Sequence, residues 1–99
     1  MKLLSRADFK RLVFERDSNK CIFCKNAAVD AHHIFDRKLF KDGGYYLNNG
    51  ASVCTECHWK CEKSEITLEQ IWGKLKIKDI IYPEGLDSTK RYDKWGKCI

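Results

Sequence analysis

At 99 residues, 43% of them hydrophobic and 33% charged, the chain has room for one domain with a small core, and its composition excludes intrinsic disorder. Nothing in it reads as a transmembrane span. Met1-Lys2-Leu3-Leu4 passes at once into Ser5-Arg6-Ala7-Asp8, so no apolar signal region is expected either, and the expected compartment is the cytoplasm. The formal charge of +5 suits a polyanionic partner.

In chain order, residues 5–16 read as a helix. Ser5 and Asp8 form a capping pair, and Phe9, Leu12, Val13 and Arg16 recur at helical spacing as a core-facing stripe. Lys10 and Arg11 lie off that stripe, where they can meet a phosphate backbone. Asp17-Ser18-Asn19 is a turn leading into Cys21-Ile22-Phe23-Cys24, and Ala27 to Ile34 reads as a short strand ending in His32-His33. Phe35 to Asn49 is a polar, basic loop marked by Gly43-Gly44. Within it Arg37, Lys38 and Lys41 are candidate phosphate contacts, and Tyr45, Tyr46 and Leu47 can pin the loop to the body. Asn49-Gly50 reads as a turn, Ala51-Ser52-Val53 as a brief strand, and Thr55 to about Lys63 as a helix carrying Lys60, a further nucleic-acid candidate. Thr67 and Gln70 make a capping box for another helix with an apolar stripe of Leu68, Ile71, Trp72 and Leu75. Beyond it the pattern is weak, with a possible strand at Ile80-Ile81-Tyr82 and a turn at Pro83-Glu84-Gly85; the tail either packs on the domain or meets a partner.

The cysteines and histidines carry the chemistry. In a reducing compartment two CxxC pairs favour metal over disulfides, so Cys21, Cys24, Cys54 and Cys57 are expected to hold one structural Zn²⁺ as four thiolates. Cys61, four residues beyond Cys57 on the same helical face, is the competing ligand; Cys61 and Cys98 otherwise serve as small apolar residues. All three histidines fall inside the segment bracketed by the CxxC pairs. His58 and Glu62 share a helical face and can share a metal with it. A divalent ion held by few protein ligands keeps positions open for water and a phosphate oxygen. Adjacent strand residues point to opposite faces, so His32 and His33 can serve one site only where the strand ends or bends.

His33, Asn49 and His58, set between CxxC pairs, resemble the HNH endonuclease motif over roughly residues 9–64. The His-His dyad, the Asn49-to-His58 spacing and the Cys57-His58 ending agree together. That spacing favours Asn49 over Asn48. The resemblance implies an α+β fold: a small zinc-stabilised ββα-metal, treble-clef-like HNH domain spanning 1–99, with an N-terminal helix and a C-terminal helical extension over about 65–99. It further implies that His33 is the general base, that His32 and His58 are ligands of a catalytic Mg²⁺ or Mn²⁺, and that Asn49 holds the loop and orients the base. Glu62 stands where many members have a histidine, which leaves the third ligand and the preferred metal open. The implied reaction is hydrolysis of DNA, double-stranded rather than RNA, with 5′-phosphate and 3′-hydroxyl products, in a bacterial or phage-infected cell. No recognition helix is visible, so weak specificity or recruitment by a larger protein partner is expected. The rival readings are a non-catalytic zinc module that binds nucleic acid or protein, and a nuclease acting on RNA or single strands.

Overall fold

The computed structural model describes residues 1–99. Its elements run α1 (Arg6–Arg16), β1 (Asp30–His33), β2 (Gly50–Val53), α2 (Thr55–Glu62) and α3 (Leu68–Leu75), with single 3-10 turns at Arg37–Leu39 and Leu47–Asn49. The result is a small α+β fold of three helices and one two-stranded sheet. β1 and β2 pair antiparallel, Asp30 with Val53 at one end and His33 with Gly50 at the other. Two short strands cannot hold a sheet alone in water, and both α1 and α2 pack against this one. No helix is long and apolar enough to cross a membrane.

Ser5 caps α1, its Oγ accepting from the Asp8 N–H at 3.1 Å. The capping is not reciprocal, because the Asp8 carboxylate turns to Arg11 at 3.3 Å. Phe9 and Val13 are buried as the stripe predicts. Arg16 sits on that face as a tether rather than as core. Its guanidinium donates to the Leu47 and Gly50 carbonyls at 2.9 and 2.7 Å while forking onto Asp17, whose carboxylate accepts from the Ser52 N–H at 3.0 Å. The end of α1 is thereby locked to the start of β2.

Gly50 is not a turn residue as its sequence context suggests. It opens β2 in extended conformation, with φ −127° and ψ 149°. A Cβ there would lie 2.5 Å from Val13 Cγ2 and 2.7 Å from Phe9 Cζ, so glycine is what lets α1 close on the strand. The expected strand from Ala27 shortens for a related reason: Ala27 bridges back to Lys20 to close the first cysteine knuckle, and pairing with β2 begins only at Asp30. The basic loop over 35–49 carries both 3-10 turns and is tied to the N-terminal segment by the Leu4 N–H donating to the Tyr45 carbonyl at 2.8 Å.

α3 has its full capping box between Thr67 and Gln70, and buries Leu68, Ile71 and Trp72. The helical part of the C-terminal extension ends there. Ile80 to Tyr82 form no strand, because the only sheet is β1–β2 and nothing pairs with them. Their side chains contribute nonetheless: Ile80, Tyr82 and Leu86 pack on a core that runs from Ile34 and Phe35 through Val53 and Trp72 to Tyr92. Phe35 is its hub, with ring centroids of Trp72, Tyr82 and Tyr92 at 5.8, 5.6 and 6.5 Å. The tail therefore packs on the domain.

Candidate metal centres and the groove beside them

The four CxxC sulfurs come together from two turns. The first pair sits in a knuckle closed by the Lys25 N–H donating to the Cys21 carbonyl at 3.1 Å, with Lys25 itself at φ 66°. The second pair straddles the start of α2, where Cys54 is the N-cap and its sulfur accepts from the Cys57 N–H at 3.4 Å. All four sulfurs lie within 4.8 Å of one another, and Cys24 and Cys54 are 3.5 Å apart. Four converging sulfurs of this kind can hold a zinc ion.

The thiols are tuned against one another. Burial raises the Cys21 pKa, but backbone N–H groups of Cys24, Cys54 and Phe23 outweigh it and bring the thiol down to about 6. Cys57 is pushed up by burial and by the neighbouring Cys54 and Cys21 sulfurs. Such a set sheds its protons most readily to a cation. Cys61 stands outside the cluster. It is buried in the core and pushed up to about 12 by burial, the behaviour of a small apolar side chain. Cys98 differs from the sequence expectation, being exposed near the chain end.

A second cluster forms where β1 meets α2. His32 from β1 meets His58 and Glu62 from α2, their ligand atoms within 4.8 Å of one another. His58 Nε2 lies 3.0 Å from Glu62 Oε1, and His32 Nδ1 lies 3.8 Å from the same oxygen. Asp30 completes the surround, its Oδ2 at 3.1 Å from His58 Nδ1. Asp30 was absent from the sequence expectations, although it precedes His32 by two strand positions and therefore shares its face. His32 is 1% exposed and neither ring nitrogen has a hydrogen-bond partner. Burial first, then Lys94 and the other histidines, hold it well below its ordinary pKa and so in the neutral, lone-pair-bearing form. Buried imidazole nitrogens without partners are costly; two histidines and a carboxylate converging on one point form a donor set that fits a divalent ion.

His33 points to the other face of β1. Its ring stacks on Phe9 at 4.6 Å and meets Tyr45 edge-on at 4.9 Å, with Nε2 buried and unpartnered. Burial and then Lys94 lower its pKa to about 4, with Asp36 and the Gly43 backbone acting in the other direction. The strand alternation thus separates the two histidines, and the end of β1 reunites their neighbourhoods. An open groove of about 730 Å³ is lined by His33 and by Glu62 of the second cluster, together with Asp30, Asp36 and Lys94.

Asn49 fixes the rim of that groove. It is 1% exposed. Its Oδ1 accepts from the Phe35 N–H at 2.9 Å, and its Nδ2 donates to the Phe35 and Gly44 carbonyls, both at 3.1 Å. Those partners bracket the loop that follows His33. Asn48, by contrast, donates to the Asp79 carbonyl at the surface.

Of the nucleic-acid candidates, Arg37, Lys10 and Arg11 line the groove. Lys38 is exposed beside it, its backbone N–H bonded to Asp36. Lys41 and Lys60 do not line it; they are spread on the surface, paired with Glu84 and Glu56. Arg6 and Lys94 are groove residues that sequence reasoning missed. Nothing in the weakly periodic tail signals that Lys94 returns to the site. Comparisons with protein-family models, curated proteins and solved structures found no match to this chain.

Proposed function

We propose that the chain is a metal-dependent endonuclease of the HNH type, its ββα unit being β1, β2 and α2, its Cys21-Cys24-Cys54-Cys57 cluster holding a structural zinc, and its substrate DNA. The observation that carries this reading is the convergence of a buried histidine without partners, His32, on His58 and Glu62, beside an open groove lined by a second neutral histidine, His33. His32, His33 and His58 each have a role in the motif resemblance, and Glu62 stands where many members of that family have a histidine.

In this reading His32, His58 and Glu62 hold a Mg²⁺ or Mn²⁺ ion. When bound, such an ion supplies charge neutralisation on the phosphate and at the leaving 3′ oxygen. His33, which lines the groove, takes a proton from the attacking water. Its lowered pKa keeps it in the accepting form throughout the neutral range, though with weaker proton affinity than an ordinary imidazole. Asn49 keeps the loop after His33 closed and so fixes where the base stands. Basic residues along the groove, Arg37 and Lys10 among them, meet the phosphate backbone.

The deciding experiment incubates zinc-loaded protein with supercoiled plasmid, with and without Mg²⁺ or Mn²⁺, beside His33→Ala. Conversion to nicked or linear DNA that requires both the metal and His33 is the expected result. A folded His33→Ala protein that cuts at the parental rate removes His33 as the base. Divalent binding at the zinc cluster alone, with no cleavage, favours a non-catalytic zinc module.

A further inference from the structure

The last residues form a tight turn rather than a loose end. The Asp93 carboxylate accepts from the Trp95 and Lys97 N–H groups, both at 2.9 Å, Gly96 adopts φ 78°, and Tyr92 bridges to Cys98. This turn is docked on the site by one backbone–backbone bond and one from the Trp95 side chain. The Asp36 N–H donates to the Lys94 carbonyl at 2.9 Å, and the Trp95 indole N–H donates to the Glu62 carbonyl at 3.2 Å. Tyr92 anchors it in the core.

None of those anchors uses the Lys94 side chain, yet that side chain is 4% exposed and lines the groove. Its ammonium has one hydrogen bond, to Asp36 Oδ1 at 3.2 Å. Glu62 Oε1 is 3.8 Å away, an ionic neighbour beyond hydrogen-bond reach. An ammonium carries three donors, so it has capacity for further acceptors. It is the cation that stands directly beside the Asp36 and Glu62 carboxylates, which would otherwise face an incoming anion at this point of the groove.

We propose that Lys94 binds the reacting phosphate in this groove, its ammonium donating to a non-bridging oxygen of a phosphodiester that enters between His33 and Glu62, while the other groove cations meet the flanking backbone. The proposal rests on the endonuclease reading and adds to it that the site is completed by the C-terminal turn. Fixed in place by its backbone, the ammonium meets developing charge on the phosphate with little reorganisation.

Two measurements test it. Inorganic phosphate is titrated into the wild-type, zinc-loaded protein and followed by amide NMR; shifts at Lys94, Trp95 and Asp36 are expected. In parallel, Lys94→Met, Lys94→Arg and Lys97→Met are compared by steady-state DNA cleavage, the last removing equal charge from the same turn outside the groove. Removing one pre-placed donor should lower kcat/KM about 100-fold in Lys94→Met. Lys94→Arg should stay within about tenfold of wild type and Lys97→Met within about twofold, as expected for a phosphate contact rather than bulk charge. Lys94→Met cutting like Lys97→Met overturns the proposal, as does a phosphate response that bypasses Lys94. If Lys94→Met fails to fold, the wild-type titration decides. A wild-type protein that never cuts DNA refutes the endonuclease reading instead, and the phosphate titration still reports on Lys94.

Discussion

Replacing Asn49 by alanine removes a side chain that serves three backbone groups at once. The Phe35 N–H, the Phe35 carbonyl and the Gly44 carbonyl each lose a bond of 2.9–3.1 Å. Each buried group left unsatisfied costs about 1–3 kcal/mol. Three such buried groups span about 3–9 kcal/mol together, and local relaxation of the loop places the expected loss in the lower half of that span, about 3–5 kcal/mol. Against a typical domain stability of about 5–15 kcal/mol, such a loss is severe. Urea unfolding of zinc-loaded protein, followed by tryptophan fluorescence, reads it as a lower midpoint at unchanged slope. Asn49→Asp sharpens the test. It keeps the acceptor for the Phe35 N–H and turns an oxygen toward two carbonyls, so it should be no more stable than Asn49→Ala at neutral pH. A loss below about 0.5 kcal/mol in Asn49→Ala, the level of an ordinary surface substitution, would refute the reasoning.

Three further outcomes follow from the same geometry. Cys24→Ser should weaken zinc retention in a chelator competition while Cys61→Ser keeps the zinc content of the parent, since only Cys24 belongs to the sulfur cluster; equal zinc loss in both would place Cys61 among the ligands. Gly50→Ala should destabilise by about 1–3 kcal/mol through overpacking, because its Cβ would meet Val13 and Phe9; an unchanged urea midpoint would mean that α1 shifts freely. His33, with a folded pKa of about 4 against about 6.5 unfolded, should show no imidazole titration by NMR between pH 8 and pH 5. In that unfolded-to-folded window the unfolded chain binds the extra proton, so this group's effect is stability lost as pH falls from about 6.5 toward 4, by at most about 1.4 kcal/mol per pH unit. A midpoint near 6.5 would show that the ring is not desolvated in solution.

Local order along the chain was legible wherever a few neighbouring residues decide the matter. Ser5 and Thr67 cap their helices, the CxxC spacing makes two knuckles, and His58 and Glu62 meet across one turn of α2. These are contacts between residues three or four apart, which helical or turn geometry imposes whatever the rest of the chain does. The choice of Asn49 over Asn48 came from its spacing to His58, and the structure separates them by burial. Other features depend on what lies across the fold. Gly50 reads as a turn until Phe9 and Val13 are seen to press on it. Ile80 to Tyr82 have strand composition and no strand to pair with. Arg16 occupies a core stripe only to reach the carbonyls of Leu47 and Gly50. Lys94 enters the groove from 58 residues beyond Asp36. Such long-range contacts leave no periodic trace in either segment. They are set by which surfaces meet once the core around Phe35 closes, and that is decided by packing rather than by neighbours in the chain.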